Sequence, residues 1–286
     1  MEMNGRKGKP VRLGTHGENY GNWMSAPVFY MVGALVVFMA VLCVISHFIP
    51  GMRLIGVLAL IAAVVVLILL AWITWIRRQY AFDGGGMMEK VHEVLLSYLD
   101  FDGKGTLLEV GCGSGALSIR AAISWPEAEV TGIDYWGAVY NYSQTMCESN
   151  ARSEGVYERC SFLHGDARKL DFQDETFDAV VSNYVYHNIN GADKQGLLLE
   201  SLRVLKKGGV FALNDDMKPR MYGDMEEFAK KTAQNGIPGS TDHRYGTGSL
   251  RLPSPSHADD AGKFPNDSRT KIRLINILPV LYQNIH

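Results

Sequence analysis

The chain has 286 residues, of which 47% are hydrophobic and 20% charged, a composition typical of folded proteins that excludes a disordered chain. Its formal net charge of -2 gives no field that would gather nucleic acid, so we expect no nucleic-acid partner. The four cysteines, at positions 43, 112, 147 and 160, lack C-x-x-C spacing, which argues against a zinc site or disulfide framework and favours a reducing compartment.

Two uncharged apolar runs near the N-terminus, residues 27–45 and 54–76, are each long enough to cross a bilayer as an α-helix. Pro50 and Gly51 lie between them and predict a tight turn. The pattern therefore predicts a helical membrane hairpin. The alternative is a buried hairpin of a soluble protein, but helices of that kind normally carry a polar face, which these runs lack.

Basic residues indicate how this hairpin is oriented. They cluster at 6–12 and at 77–78, whereas only Arg53 marks the connecting loop, so the positive-inside rule places both ends in the cytoplasm. We therefore expect a multi-pass membrane protein with two spans over 26–78, preceded by a cytoplasmic segment at 1–25. The rest of the chain should lie on the cytoplasmic side.

A soluble α/β domain is predicted over 79–236. A glycine-rich joint at 80–86 leads into a helix at 87–99 that presents one apolar face. Strands are predicted at 106–110, 129–134, 161–164, 177–183 and 209–213, and helices at 116–124, 138–153 and 192–205. Such alternation predicts an open parallel sheet with helices on both faces, in which ligands bind beyond the carboxyl ends of the strands.

The chemistry-bearing residues follow the first three strands of this sheet. The first strand runs through Glu109 into Gly-Cys-Gly-Ser-Gly115 and a helix, a loop whose backbone can approach a ligand closely. A dinucleotide site, or a tight turn alone, would also fit those glycines. Asp134 ends the second strand and could accept ribose hydrogen bonds or cap a helix. Asp166 follows the third strand and could bind an adenine amino group.

Together these motifs resemble class I S-adenosylmethionine (SAM)-dependent methyltransferases over residues 87–216. The segments 177–189 and 205–213 resemble the small-molecule and quinone or lipid branch of that superfamily. The resemblance implies a Rossmann-like sheet, SAM as the cofactor and methyl transfer as the reaction. The residues placed at the cofactor are Glu109, Gly111, Cys112, Gly113, Gly115, Asp134, Tyr135, Trp136, Asp166, Ala167 and Asn183.

Methyl transfer from a sulfonium requires an aligned nucleophile and no metal, so we expect no metal site. His187 follows the fourth strand and could act as a base near neutral pH, with a structural histidine as the alternative. Tyr184 is a second catalytic candidate on the same loop. Asp215, Asp216 and Lys218 follow the fifth strand and could contact substrate, and the adjacent acids favour a loop or helix start over a metal site.

The C-terminal part departs from the family pattern. Members usually end with a helix and an antiparallel strand pair, and residues 223–233 can supply the helix. The stretch 237–271 is rich in Pro, Gly, Ser and Asp and predicts loop or disorder, so we expect no strand pair there. Only 272–281 has a strand-like pattern. A frameshift affecting 257–267 is one hypothesis for the atypical tail at 237–286, and sequencing the coding DNA tests it.

We expect the methyl acceptor to be a membrane-resident or amphiphilic small molecule such as a quinone or lipid, because tethering raises the effective concentration at the bilayer. One alternative is a methyltransferase of a soluble metabolite or protein. Another is a SAM-binding module that transfers no methyl group. An NAD-dependent oxidoreductase is a weaker alternative, since Glu109 and Asp166 would then have no cofactor role. The sequence does not indicate the oligomeric state.

Overall fold

The computed structural model describes residues 13–14, 16–21, 26–82, 86–137, 142–225, 227–228, 231, 239–243 and 270–275. The helices and strands, in chain order, are α1 (Ala26–Phe48), α2 (Arg53–Gln79), α3 (Met87–Tyr98), β1 (Lys104–Val110), α4 (Ala116–Ser124), β2 (Glu127–Asp134), α5 (Gln144–Ser153), β3 (Cys160–His164), β4 (Phe177–Asn183), α6 (Lys194–Arg203), β5 (Leu205–Asn214), α7 (Pro219–Tyr222), β6 (Gly239–His243) and β7 (Thr270–Ile275).

The two N-terminal helices form an apolar hairpin. Their candidate spans, Phe29–Phe48 and Arg53–Gln79, have mean hydropathies of 2.6 and 3.3 and are long and apolar enough to cross a membrane. They pack closely where Gly56 faces Ser46, since a Cβ atom at position 56 would lie 1.8 Å from the Ser46 Oγ atom. Most of their apolar side chains are exposed, with Tyr30 at 77%, whereas the core hairpin of a soluble protein would be buried.

The sheet has seven described strands in the order β3-β2-β1-β4-β5-β7-β6, and all of its pairings are parallel. Because neighbouring residues of a strand point to opposite faces, the sheet separates two apolar clusters. Leu107 and Val130 pack on one face with α3, α4 and α5, whereas Leu108 and Phe211 pack on the other face with α6. This arrangement confirms the predicted Rossmann-like sheet with helices on both faces.

The winding of the chain reverses at β1. From β1 the chain proceeds outward to β2 and β3, then returns to the other side of β1 through β4 and continues to β5. In open α/β sheets such a switch point leaves a crevice at the carboxyl ends of the strands, because the two connections leave in opposite directions. The glycine loop after β1 lies at this point.

The expectation that no strand pair follows residue 235 is wrong. Residues 239–243, predicted as loop, form β6. Strand β7, residues 270–275, overlaps the segment 272–281 that has the strand-like pattern, and the two strands pair in parallel rather than antiparallel. A polar strand such as Gly-Ser-Thr-Asp-His can join a sheet edge because its pairing uses backbone groups. The sheet thus extends past the predicted domain end at 236. The hypothetical frameshift region, 257–267, lies outside the described residues.

Two boundaries near the cofactor motifs also differ from expectation. Helix α5 begins at Gln144 rather than at 138, because Ser143 caps it by accepting a hydrogen bond from the Met146 amide. The predicted joint after α2 is partly packed, since Tyr80 and Phe82 lie against the core. The described residues of the N-terminal segment also pack on the domain, which the predicted separation at residue 79 did not anticipate.

Candidate functional site

The glycine loop is shaped by backbone conformations that side chains rarely adopt. Gly111, Gly113 and Gly115 have φ values of +80°, +55° and +81°. A Cβ atom at position 111 would lie 2.3 Å from Cγ2 of Val185, so glycine is required there for packing as well as conformation. Gly111 and Gly113 line the cavity described below, whereas Gly115 forms the N-cap of α4 and is not among the lining residues.

Asp134, at the end of β2, connects this loop to the next one. Its Oδ2 atom accepts a hydrogen bond from the Gly113 amide at 2.8 Å, and Oδ1 accepts one from the Trp136 amide at 2.7 Å. The Trp136 indole donates back to the Gly113 carbonyl at 2.8 Å. Each carboxylate oxygen has a second lone pair for ligand hydroxyls. The alternative role of Asp134 as a helix N-cap is wrong for α5, which Ser143 caps.

Glu109 lines the cavity with only 3% of its surface exposed. Its Oε2 atom accepts a hydrogen bond from the Ser118 hydroxyl at 2.5 Å. Burial raises the pKa of the Glu109 carboxyl to about 8, and the neighbouring charge of Asp134 acts in the same direction. A cationic ligand beside this carboxyl would favour its ionised form.

Asp166 is already engaged by a neighbouring cation. The Arg168 guanidinium binds both carboxylate oxygens, with Nη2 at 2.6 Å from Oδ2, and the Arg168 amide donates to Oδ1. The side-chain hydrogen bonds from Arg168 hold the pKa of the Asp166 carboxyl below its usual range. Asp166, Ala167 and Arg168 all line the cavity, and Arg168 was not predicted from the sequence.

The loop after β4 brings Asn183 and Tyr184 to the rim. The Asn183 side chain accepts a hydrogen bond from the Asn214 amide group at 2.8 Å, which joins β4 to β5. Tyr184 has a φ of +60°, a left-handed conformation that is uncommon for a non-glycine residue and is often found at functional sites. Its ring lies edge-on to His187, with centroids 5.4 Å apart, and burial raises the pKa of the Tyr184 hydroxyl.

His187 is held by Asp215, a pairing that the sequence did not predict. The Nδ1 atom of His187 lies 2.5 Å from Oδ1 of Asp215, and the His187 amide donates to Oδ2 at 3.1 Å. The Asp215 side chain is fully buried, whereas His187 lines the cavity. The carboxylate thus orients the imidazole through Nδ1 and leaves Nε2 for a ligand. Asp215 therefore supports His187 from the interior of the domain.

These residues surround a cavity of about 710 Å³ at the carboxyl edge of the sheet. Ten of the eleven predicted cofactor residues line it, as do both catalytic candidates; Gly115 is the exception. The sequence missed an apolar and aromatic side of the cavity, here called the aromatic wall, which consists of Tyr80, Phe82, Met88 and His92. Helical periodicity marks α3 as amphipathic but does not indicate that part of it borders a cavity.

His92 is a neutral member of the aromatic wall. Burial lowers the pKa of its imidazole to about 3, and the positive charge of Arg120 acts in the same direction. Its ring stacks on Phe82 with centroids 5.5 Å apart. The aromatic wall therefore presents an uncharged surface at neutral pH.

Residues 108–213 match the family described as a methyltransferase domain. A sterol 24-C-methyltransferase of Gibberella zeae is 31% identical over 42% of this chain and 30% of its own length. A demethylmenaquinone methyltransferase of Staphylococcus aureus is 34% identical over 41% of this chain and 46% of its own length. The chain thus spans less than half the length of these relatives. The crystal structure of the [4+2]-cyclase SpnF is 28% identical over 44% of each chain, with a TM-score of 0.40.

The matched segment contains β1 to β5 from Leu108 onward, together with the glycine loop and the three acidic positions described above. The match confirms the predictions of a methyltransferase domain and of SAM as its cofactor.

Proposed function

We propose that the protein is a SAM-dependent methyltransferase whose acceptor is a membrane-associated or amphiphilic small molecule, of the quinone or lipid kind. The observation that carries this proposal is the shared cavity. The cavity is lined both by the glycine loop and acidic residues of a SAM site and by the aromatic wall, which begins directly after the apolar helix α2. Cofactor and acceptor would therefore meet beside the predicted membrane hairpin.

The cavity fits the chemistry of SAM. The glycine loop offers close backbone approach, Asp134 offers carboxylate acceptors for ribose hydroxyls, and the Glu109 carboxyl offers a counter-charge for a cationic ligand. When bound, SAM supplies a methyl group activated on a sulfonium. The residues of the chain would then orient the acceptor, exclude water and accept a proton.

His187 is suited to accept that proton. An acceptor O–H, N–H or activated C–H loses a proton on methylation, and an imidazole oriented by a buried carboxylate is a suitable base. Asp215 provides this orientation through the 2.5 Å contact with Nδ1. The pair favours a transfer enzyme over a module that only binds SAM.

The lining of the cavity favours an uncharged acceptor head. Among the described lining residues, Arg168 is the only lysine or arginine, and it is paired with Asp166. A phosphate headgroup would therefore lack a free counter-ion, whereas a quinol or sterol-like ring would contact apolar and aromatic surface. Relatives named for sterol and demethylmenaquinone methylation agree with such an acceptor.

The packing of the N-terminal segment supports two membrane crossings. Leu13 and Tyr20, before α1, are buried in the same core cluster as Met87, after α2. Both ends of the hairpin therefore meet one domain, so any bilayer crossings by the chain between them would be even in number. Together with the positive-inside pattern, this supports a cytoplasmic domain on a two-span anchor.

Labelling of introduced cysteines tests this topology. In intact cells carrying a Cys43→Ser background, a membrane-impermeant maleimide is expected to label Ile49→Cys in the exposed turn between the helices. Lys104→Cys, on an exposed domain position, is the matched control and should be labelled only after lysis. Labelling of both sites only after lysis would contradict a crossing hairpin.

Glu109→Gln is expected to remove the part of the pH dependence of SAM affinity that arises from titration of the Glu109 carboxyl. The wild-type carboxyl, with its pKa near 8, is mostly protonated at about pH 6, and the bound cation favours its ionised form. Binding therefore releases a proton, and wild-type affinity should rise between about pH 6 and about pH 8. Calorimetry of both proteins at matched pH cancels the titration of free SAM. If the ratio of wild-type to Glu109→Gln affinity for SAM stayed constant across this pH range, the role of Glu109 as a counter-charge for SAM would be contradicted.

A lipid comparison tests the proposed acceptor class. Cells in which the gene is disrupted should accumulate an extractable lipid or quinone that is lighter by one methylene, and the wild-type gene should restore the heavier species. Complementation with His187→Ala is expected to restore much less. Unchanged lipids together with a changed soluble metabolite would instead support the alternative with a soluble acceptor.

A further inference from the structure

The described residues before α1 form a clasp on the methyltransferase domain. This N-terminal clasp consists of residues 13–14 and 16–21. Leu13 and Tyr20 are 1% and 2% exposed and belong to the core cluster beneath α4 and α5. The Gly14 amide donates to Oε1 of Glu154 at 2.9 Å, and the Tyr20 hydroxyl donates to the same oxygen at 3.2 Å. The clasp is thus anchored by both apolar and polar contacts.

One side chain connects the clasp to the glycine loop. Asn150 of α5 is 2% exposed, and its Oδ1 atom accepts a hydrogen bond from the Asn19 amide at 3.0 Å. Its Nδ2 group donates to the Asn19 carbonyl at 3.0 Å and to the Ser114 carbonyl at 3.1 Å. Ser114 belongs to the glycine loop. A single buried amide therefore fixes both segments, and moving either one leaves part of it unsatisfied.

A second contact reaches the cavity itself. The Gly21 backbone lies so close to the Tyr142 ring that a Cβ atom at position 21 would approach Cε1 within 2.8 Å. The opposite ring edge lies against Gly113, where a Cβ atom would lie 3.5 Å from Cδ2. Tyr142 lines the cavity. The clasp and the glycine loop therefore also contact each other through one aromatic ring.

We infer that docking of the N-terminal clasp and binding of SAM are thermodynamically coupled, with Asn150 and Tyr142 as the positioning residues that couple them. The inference rests on the proposed SAM site. A docked clasp holds the glycine loop in its binding conformation and so raises the affinity for SAM. By thermodynamic linkage, bound SAM must shift the docking equilibrium of the clasp by the same factor. Because the clasp precedes α1 in the chain, a domain cut at residue 79 would lack the clasp and would bind SAM more weakly.

Calorimetry on the full chain in detergent tests the coupling in one direction. Asn150→Ala, which removes the bridge, and Tyr20→Ala, which loosens the clasp at a distance from the loop, should each weaken SAM binding by about 5- to 150-fold. Arg152→Ala, on an exposed side of the same helix, is the matched control and should bind as the wild type does. Circular dichroism establishes that each variant is folded.

Hydrogen exchange on the wild-type protein tests the other direction without relying on a variant. Saturating SAM should slow exchange of amides in residues 13–21, including those of Gly14 and Asn19, and this effect should be lost in Asn150→Ala. Unchanged exchange in the clasp, or wild-type affinity in both Asn150→Ala and Tyr20→Ala, would overturn the coupling while leaving the SAM site intact. Absence of SAM binding by the wild type would overturn the proposed function itself.

Discussion

His187→Ala and Asp215→Asn are each expected to lower kcat by about 10²- to 10⁴-fold while leaving SAM affinity unchanged. The first variant removes the base, and the second replaces the buried carboxylate that holds Nδ1 of the imidazole. With asparagine, the side chain can present its NH₂ group to Nδ1 and favour the wrong tautomer. Initial rates of S-adenosylhomocysteine formation, with a total lipid extract as acceptor, measure the effect.

Asp216→Asn is the matched control for this prediction. Asp216 adjoins Asp215, but it is not among the residues that line the cavity, and its carboxylate is paired with Lys218 rather than with the imidazole. Its replacement should therefore leave most of kcat intact. Wild-type activity of Asp215→Asn would show that the pair is structural and would restore the reading of His187 as a structural histidine.

Asp134→Ala is expected to weaken SAM binding by about 10²-fold or more. The variant loses the proposed ribose acceptors and also releases the amides of Gly113 and Trp136 that the carboxylate now holds. Hydrogen bonds to charged groups contribute about 1.5–3 kcal/mol each, and two of them correspond to at least a hundredfold in affinity. Calorimetric titration with SAM measures the loss directly.

Asp178→Asn is a suitable comparison for Asp134→Ala. Asp178 is also a strand carboxylate bound by partners, namely Thr106 and Lys206, but it is not among the residues that line the cavity. This variant should lower stability while retaining SAM binding. Equal loss of affinity in both variants would mean that the Asp134 effect arises from general destabilisation.

The central sheet and the cofactor loops could be predicted because their signals are local. Strands β1 to β5 are short segments with apolar or alternating patterns, and glycines or acids stand at the ends of β1 and β2 and just after β3, where open sheets bind ligands. The glycine loop, Asp134 and Asp166 accordingly meet at one cavity. Their identity as SAM ligands stays a prediction.

The missed features depend on contacts between distant segments. His187 and Asp215 are separated by 28 positions, and only the pairing of β4 with β5 brings their loops together. The clasp has two isolated apolar residues, Leu13 and Tyr20, among polar residues and glycines, so it has no periodicity that would indicate burial. Strand β6 is polar and joins the sheet through its backbone, which a hydrophobic pattern cannot reveal.

The most direct test of the proposed function is methyl transfer by the purified protein in lipid nanodiscs, with SAM labelled on its methyl group and a total lipid extract as acceptor. We predict that label enters the organic phase together with formation of S-adenosylhomocysteine, and that His187→Ala forms far less of both products. If the protein binds SAM but forms no S-adenosylhomocysteine with lipid, protein or soluble extract, it is a SAM-binding module and the proposed catalytic function is wrong.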